Sequence, residues 1–411
     1  MYGTKKQTSE RNIHSTLLVL LVVLSLAIFS GGCGGSSSSD DRAADEIGTG
    51  NGDTDTGTDT DDGGSTDTSD AFSLTGPSYV VDGKVYRITG AGEYTASGTM
   101  TDGRISVEAS GQDVILILNG VTISSSDGPA ILALNAATVT VRTASGSINV
   151  LSDGGSDADY DGTIFSSVPL ILDGTGDLVV VGNNQEGIAS DSSMTVNSGN
   201  IWIKAVDDGL NTGADLIVNG GYIYVDAAGD GLDSNANLAI TGGTIISLGG
   251  MEGGDGGIDK DDGFTFALTG GTVIATGNEI VLPNNSSPQT SMRLVFQSDM
   301  AAGTIVHIEG ATETLTFTPA RTYRSFFYSS PTLSAGSYAV YSGGSVTGTS
   351  QDGLYDAAAT YSGGTAQTHS GSTEGVFEVT ADAANTFSNV GVDQSSGGSI
   401  NPGNPGGPQR P

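Results

Sequence analysis

Large apolar and aromatic side chains are scarce in this chain of 411 residues. Hydrophobic residues make up 36% of the sequence and aromatic residues 6%, whereas glycine alone occurs 64 times. A thick globular core is hard to build from this composition, because such a core needs many large side chains. A thin stack of strands needs only one inward residue in every two. The composition therefore favours an all-β solenoid.

Basic residues are also few: 14 Lys and Arg stand against 47 Asp and Glu, which gives a formal net charge of −33. Nucleic acids and anionic lipid head groups would be repelled by such a chain, so both are excluded as partners. Cations are the natural partners instead. Because the chain has only three His and one Cys, we expect neither a zinc nor a copper site, and no disulfide can form within it.

The longest apolar run lies near the N-terminus, from Leu17 to Phe29, after a short basic segment. It is too short to span a bilayer and is typical of the core of an export signal. It leads into "SGGC", which resembles the lipobox of bacterial lipoproteins. We therefore expect residues 1–33 to be a lipoprotein signal and Cys33 to carry the lipid that anchors the chain, at the outer membrane or cell surface. The alternative is plain secretion, with Cys33 lost alongside the signal.

Two segments contain almost no apolar side chains and are predicted to be disordered. Residues 34–70 form an acidic Gly/Ser/Thr/Asp linker, and residues 391–411 form a Pro/Gly-rich tail. The aspartates of the linker do not match the EF-hand pattern, so we expect a solvated tether there and not a calcium loop.

Between these segments the sequence repeats around a glycine that precedes an apolar residue. The steps are 22, 22 and 26 residues, at Gly187, Gly209, Gly231 and Gly257. Each unit has two short alternating runs that flank a Gly-rich turn, as in "LIVNGGYIYV". Period-two alternation in so short a repeat indicates the stacked coils of a β-solenoid. We expect these coils over residues 104–282, after an N-terminal β cap at residues 71–103.

Stacking brings acidic residues of successive coils together. In a parallel solenoid, residues one repeat apart lie about 4.8 Å from each other. Glu186, Asp208 and Asp230 are therefore predicted to form one column, which Asp255 can join through its longer coil. A second column continues from Asn211 through Asp233 and Asp259. Stacked like charges repel each other, so the columns need cations or enough water to screen them.

Calcium suits these columns best, because it accepts many oxygen ligands in flexible geometry. The predicted calcium-binding residues are Glu186, Asp207, Asp208, Asp230, Asp233, Asp255, Asp259, Asp261 and Asp262. The alternative is that each Asp-Gly pair serves only the geometry of a turn. Turn geometry does not explain why Asp207 stands beside Asp208, or why four acids cluster in "GGDGGIDKDDG".

Aromatic residues on the outer face of the coils are candidates for carbohydrate contacts. Alternation within "NIWIKA" and "GYIYVDA" leaves Trp202, Tyr222 and Tyr224 outside, with Trp202 one repeat before Tyr224. Lys204 would lie beside Asp226 in the next coil. The predicted carbohydrate-binding residues are Trp202, Lys204, Tyr222, Tyr224 and Lys260. The alternative is that a terminal segment covers the aromatic residues as a packing surface.

Several of these motifs resemble those of a known family. "DDGLNTGADLIVNGGYIYV", "GDGLDSNANLAITGGTIIS" and "GGIDKDDGFTFALTGGTVIATG" are similar to segments of bacterial carbohydrate-binding proteins that have a right-handed parallel β-helix related in shape to pectate lyases. The likeness covers roughly residues 72–350. It implies binding of Ca²⁺ and of acidic plant polysaccharides such as polygalacturonate. At one position, where the family has an aromatic residue, this chain has Lys260.

Residues 283–350 have a different sequence pattern from the coils. Their alternating, aromatic-rich runs predict antiparallel strands that cap the open end of the solenoid. Residues 351–390 receive no assignment from the sequence. The expected fold is thus all-β, a right-handed parallel β-helix with a C-terminal antiparallel β cap.

The function that these features favour is calcium-dependent binding of an extracellular acidic polysaccharide, without catalysis, by a monomer. A calcium-dependent polysaccharide lyase is one alternative, because calcium would acidify the C5 proton of a uronate and a basic residue would remove it. Arg142, Lys204 and Lys260 are the candidate bases within the coils, but we expect the acids around Lys260 to hold its proton. A cell-surface adhesin or structural solenoid without a glycan ligand is the other alternative.

Overall fold

Short parallel strands in successive turns make up most of the structure, a computed structural model that describes residues 71–392 apart from 155–158, 371, 373 and 374. No helix occurs among the described residues, so this part of the chain is all-β. One sheet has nine strands, of which eight run parallel and follow one another at one strand per turn. The chain therefore forms a parallel β-helix, and the predicted fold class is confirmed.

The β-helix and its N-terminal end contain the strands β1 Ser73–Thr75, β2 Tyr79–Asp82, β3 Val85–Ile88, β4 Gly92–Met100, β5 Arg104–Glu108, β6 Asp113–Ser124, β7 Ile131–Asn135, β8 Thr138–Thr143, β9 Ile148–Ser152, β10 Gly162–Ser166, β11 Leu170–Gly174, β12 Asp177–Gly182, β13 Glu186–Ser190, β14 Met194–Val196, β15 Asn200–Ala205, β16 Leu210–Thr212, β17 Leu216–Val218, β18 Tyr222–Ala227, β19 Leu232–Ser234, β20 Leu238–Leu248, β21 Ile258–Lys260 and β22 Phe266–Gly277.

The region after the β-helix contains the strands β23 Ser291–Met300, β24 Val306–Gly310, β25 Thr314–Phe317, β26 Tyr323–Ser329, β27 Gly336–Ser342, β28 Ser345–Thr347, β29 Ser350–Gln351, β30 Leu354–Tyr355, β31 Thr360–Ser362, β32 Thr365–Ala366, β33 Phe377–Val379 and β34 Ala384–Val390.

Each turn contributes one strand to the nine-strand sheet, whose order is β2-β3-β5-β7-β10-β13-β16-β19-β21. The rest of each turn joins a second, longer sheet, in which β8, β11, β14 and β17 form one column and β9, β12, β15 and β18 form another. β20 and β22 run through both columns, so the two columns belong to one folded sheet. The sequence assigned residues 71–103 to an N-terminal cap. In the structure, residues 85–88 of this range already pair in parallel with residues 104–107 of the first predicted coil.

The inward residues stack in register and form the core of the β-helix. Ile188 pairs with Leu210, Leu210 with Leu232, and Leu232 with Ile258, and each is at most 1% exposed. This register reproduces the repeat steps read from the sequence. Full burial of one such side chain is worth about 1.5–3 kcal/mol, so the ladder holds the turns together.

The glycine before each inward residue is required by close packing. A Cβ at Gly187 would collide with the side chain of Ile203, and a Cβ at Gly209 would collide with that of Val225. Neither glycine has a φ in the left-handed region. Turn geometry, the alternative reason for an Asp-Gly pair, therefore does not account for Gly209.

The strands after the β-helix close its C-terminal end and cover part of its long sheet. β26 pairs antiparallel with β22, and β23 pairs with the other edge of β26. Phe327 on β26 enters the core of the β-helix, whereas its neighbour Phe326 packs in a second core together with Ile246 and Ile274 of the long sheet. Residues 351–390, unassigned from the sequence, supply β34, which pairs with β23.

Candidate functional site

Acidic side chains gather at one corner of the β-helix, where each turn enters the nine-strand sheet. Glu186, Asp208 and Asp230 occupy equivalent positions in three successive turns. The carbonyl of Asp208 accepts from the backbone N–H of Gly187 at 2.9 Å, and the carbonyl of Asp230 accepts from that of Gly209 at 2.8 Å. The Oδ1 atom of Asp208 accepts a hydrogen bond of 2.6 Å from the backbone N–H of Asp230. In the next turn the equivalent position is Gly256, whose N–H donates to Oδ1 of Asp230, also at 2.6 Å. The structure thus forms the predicted column, with Asp255 one residue beside it.

The second predicted column lies on the nine-strand sheet. Asn211 pairs in register with Asp233, and Asp233 with Asp259. The Nδ2 atom of Asn211 donates to Oδ2 of Asp208 at 2.8 Å and to Oδ2 of Asp233 at 3.1 Å. This asparagine therefore connects the two columns. We call the acids of both columns, together with the acids next to them, the acidic corner. Its members are Asp161, Glu186, Asp207, Asp208, Asp230, Asp233, Asp255 and Asp259.

Burial and mutual repulsion make the charged state of this corner costly. The Glu186 side chain has a pKa raised to about 8, first by burial and then by the nearby charges of Asp161 and Asp208. Burial, and then Asp208 and Asp259, also raises the pKa of Asp230 to about 8. For Asp233 the same causes raise the pKa to about 7. Such shifts mark carboxylates that lack a compensating positive charge.

Two carboxylate oxygens in the corner are buried without any hydrogen-bond donor. They are Oδ1 of Asp161 and Oε2 of Glu186, whose residue is only 7% exposed. The backbone N–H of Glu186 donates to the carbonyl of Asp161 at 2.8 Å, so the two residues lie in adjoining turns. Sequence reasoning missed Asp161, because it lies at the end of an insertion that interrupts the repeat. Buried oxygens without a donor are the kind of atom that a cation satisfies.

A cleft of about 710 Å³ opens beside the corner, between the β-helix and the C-terminal region. Asp207, Asp255 and Glu252 line it from the β-helix, and Arg321 lines it from the C-terminal region. Burial is the first cause that raises the pKa of Asp207 and of Asp255, and Asp208 is the second. Arg321 forms an ion pair of 2.8 Å with Asp226. Apolar surface between these charges comes from Val206, Ala228 and Met251.

Gly229 lies at the floor of this cleft. A Cβ at this position would collide with Oδ1 of Asp208 and Oδ1 of Asp207. The two carboxylate oxygens therefore converge on a space that only a glycine leaves open. That space adjoins both the column and the cleft, so an ion held there would be in reach of a ligand.

The remaining predicted acids and lysines lie at the surface. Asp261 and Asp262 are exposed, and the charge of Asp261 contributes to the raised pKa values of Asp233 and Asp259. The Nζ atom of Lys260 donates to the carbonyl of Asp261 at 3.1 Å.

The predicted aromatic platform is covered. Trp202 pairs with Tyr224 in register as expected, but Trp202 is only 7% exposed, and Tyr222 and Tyr224 pack against the second core. The Oδ2 atom of Asp352 accepts hydrogen bonds from Nε1 of Trp202 at 2.9 Å and from the hydroxyl of Tyr222 at 2.6 Å. The alternative, that another segment covers these aromatic residues as a packing surface, therefore describes this face. The arrangement gives no support to a sugar platform here. Exposed Lys204 lies beside Asp226, also in the predicted register.

No three His, Cys, Asp or Glu side chains within the described ranges are arranged to hold a metal ion by themselves. A calcium ion at the corner would therefore also need other oxygens, such as backbone carbonyls or water, which this ion readily accepts. None of the described residues belongs to a helix that is long and apolar enough to cross a membrane. The predicted signal, the lipidation residue Cys33, the linker and most of the tail lie outside the described residues.

Comparisons with known proteins found a family, a relative and a solved structure that are similar to this chain. A family model described as carbohydrate-binding domain-containing protein matches residues 82–375. A protein of that description from Acetivibrio thermocellus is 32% identical over 127 residues, which cover 29% of this chain and 44% of the relative. The chain therefore spans less than half of that relative's length. A solved polysaccharide lyase-like protein from C. thermocellum, a gadolinium derivative, is 25% identical with a TM-score of 0.41, over 50% of this chain and 86% of that one.

Proposed function

The chain belongs to the carbohydrate-binding domain-containing protein family, and on that premise we propose that it binds acidic polysaccharide, such as polygalacturonate, through calcium ions held at the acidic corner. Binding takes place without catalysis. The observation that carries this proposal is the pair of buried carboxylate oxygens without a donor, on Asp161 and Glu186, two residues whose pKa values are both raised first by burial.

A cation removes the conflict at the corner. The carboxylates of Glu186 and Asp230 are charged only at a cost, because they are buried or half-buried and their neighbours carry the same charge. Calcium takes carboxylate, carbonyl and water oxygens in a flexible shell, so it can use acids that do not converge on one point. The residues that would hold it are Glu186 and Asp208 with Asp161 or Asp230, and Asp207 with Asp255 at the cleft.

The charge of the polymer gives calcium a second role. A chain with a formal net charge of −33 repels a polyuronate unless cations lie between the two sets of carboxylates. Calcium at Asp207 and Asp255 would keep part of its shell for a uronate carboxylate in the cleft. Arg321 and the apolar surface of Val206 and Met251 line the same cleft and are suited to contact the sugar ring.

Binding without catalysis is favoured by the state of the nearby basic groups. β-Elimination needs a base that gives up its proton close to the calcium-bound uronate. Arg321 is held in an ion pair of 2.8 Å with Asp226. The Nζ atom of Lys260 donates to the carbonyl of Asp261 at 3.1 Å, so both basic side chains already have a partner.

The cellular setting of the proposal follows from the sequence. Export, lipidation at Cys33 and a tether over residues 34–70 would display a monomeric β-helix on the outer membrane or cell surface. Such a position suits a protein that captures extracellular polymer.

A glycan pull-down of the chain from residue 34 onward, with calcium or with chelator, tests the proposal. We expect polygalacturonate to be retained in calcium and released by chelator, without formation of unsaturated uronates measured by their absorbance. Retention that survives chelator would contradict bridging by calcium. Appearance of unsaturated product would favour the lyase, and absence of any glycan binding would favour an adhesin or spacer.

A further inference from the structure

One arginine differs from all others in the described part of the chain. The other five described arginines each form an ion pair with a carboxylate, whereas Arg293 has no carboxylate of a described residue within 4.0 Å. Its Nη1 atom donates to the carbonyl of Ile280 at 2.8 Å, and its Nε atom is buried without a partner. A guanidinium has five N–H donors, so most of those of Arg293 find no protein acceptor.

The surroundings of Arg293 form a site between the last turn of the β-helix and β23. Two cavities of about 290 and 470 Å³ share Arg293 and Glu279 in their walls. The smaller cavity also contacts Asp259 of the acidic corner, and the larger one contacts Arg324 and Asn278. Burial lowers the pKa of Arg293, and the charge of Glu279 opposes this effect. Because an arginine keeps its charge in a protein, a half-buried guanidinium without an ion pair calls for an anion.

We propose that Arg293 receives the carboxylate of a uronate residue of the bound polysaccharide in these cavities. The planar fork of the guanidinium matches a carboxylate and can donate two parallel hydrogen bonds to it. This inference rests on the proposed function for the identity of the polymer. It adds a subsite that needs no calcium, next to Asp259, where a polymer held by calcium at the corner would continue.

Glu279 competes with the ligand at this subsite. Its exposed carboxylate lies close enough to affect Arg293 and lines both cavities, but it forms no ion pair with the guanidinium. An entering uronate therefore meets repulsion from Glu279 as well as attraction to Arg293. The two residues should have opposite effects on binding, which a purely structural role for Arg293 does not predict.

The test uses metal-free protein, the chain from residue 34 onward, and the Nε–Hε signal of Arg293 in NMR spectra, identified by its loss in Arg293→Lys. We expect galacturonate monomer at millimolar concentration to shift this signal and galactose to leave it unchanged. Glu279→Gln should lower the galacturonate concentration needed. In calcium, Arg293→Gln should weaken polygalacturonate binding roughly tenfold to hundredfold, the usual loss for a charge-assisted pair.

Arg142→Gln is the matched control, because it removes an arginine of a distant turn that pairs with Asp173 at 3.3 Å, and it should keep wild-type affinity. If Arg293→Gln lowers the melting temperature, Arg293→Lys keeps the charge without the planar fork and should still weaken binding. An Arg293 signal that no galacturonate concentration moves would overturn the subsite. Failure of calcium-dependent polymer binding with a responsive signal would overturn the proposed function and leave the subsite standing.

Discussion

Metal-free protein should lose stability as the pH rises through the neutral range. Folding raises the pKa of Glu186 from 4.5 to about 8 and that of Asp230 from 3.8 to about 8. Between the two values of each group the folded chain binds more protons than the unfolded chain. The contribution to stability is therefore complete below the ordinary pKa and is lost as the pH rises through the raised one.

The size of this loss follows from the shifts. One pKa unit corresponds to about 1.4 kcal/mol, so a single group moved from 4.5 to about 8 would lose about 5 kcal/mol on full ionisation. Asp230 and Asp233 are half-buried and partly screened by water, and the acids share the same repulsion, so their shifts do not add. We expect the free energy of unfolding to fall by roughly 2–5 kcal/mol between pH about 5 and about 8.

Urea unfolding at several pH values, after calcium is removed on a chelating resin, measures this loss. Saturating calcium should flatten the pH dependence, and at a free concentration 100 times its dissociation constant one site adds about 2.7 kcal/mol. The double variant Asp208→Asn/Asp230→Asn should lose most of the calcium response and the part of the pH dependence that Asp230 contributes, while its amide oxygens can still accept the backbone hydrogen bonds. The pH dependence that remains belongs to Glu186, whose pKa is raised first by burial. Exposed Asp127→Asn is the control. A flat pH profile in metal-free protein would refute the reasoning.

Three further outcomes are expected. Gly229→Ala should abolish the calcium-induced rise in melting temperature, because its Cβ would displace the carboxylates of the floor, whereas Gly254→Ala, whose Cβ meets nothing, should keep it; equal responses would contradict the assigned space. Asp352→Ala should lower the free energy of unfolding by about 2–4 kcal/mol, since it removes two hydrogen bonds to one carboxylate; an unchanged urea midpoint would show that the contact is weak. Trp202→Ala should cost about 3–5 kcal/mol, and fluorescence of this sole tryptophan should not respond to glycans; quenching by a glycan would restore the platform.

The sequence predicted those parts of the site that depend on the repeat. Asp208, Asp230 and Asp233 occupy their columns because a ladder of inward apolar residues and packed glycines fixes the register of every turn. Asp161 escaped prediction, because an insertion precedes it and shifts it out of the period. Arg321 escaped for a different reason: nothing near it in sequence indicates that it lies across a cleft from Asp207.

The sequence also could not predict that the aromatic face is covered. Alternation correctly placed Trp202 and Tyr224 outside the coils, but outside a coil is not the same as exposed to water. Asp352, which accepts hydrogen bonds from Trp202 and Tyr222, lies 150 residues from Trp202 in sequence. A periodic pattern states which face a side chain occupies within its own repeat. It carries no information about a non-repeating segment that later packs on that face.

The distribution of charge across these two kinds of segment bears on how the ligand is held. The repeats supply the acids, whereas three arginines, Arg293, Arg321 and Arg324, come from the region that caps the β-helix. Two of them line cavities at the junction with the β-helix, together with acids of the corner: Arg321 lines a cavity with Asp207, and Arg293 lines a cavity with Asp259. Among its charged side chains the stack of repeats carries mostly acidic ones and so attracts cations, which a polyanion then shares. The junction adds donors for the polymer's own carboxylates. An acidic polysaccharide should therefore bind across the junction, and not along the repeats far from it, so that removal of either the column acids or Arg293 weakens binding of the same chain.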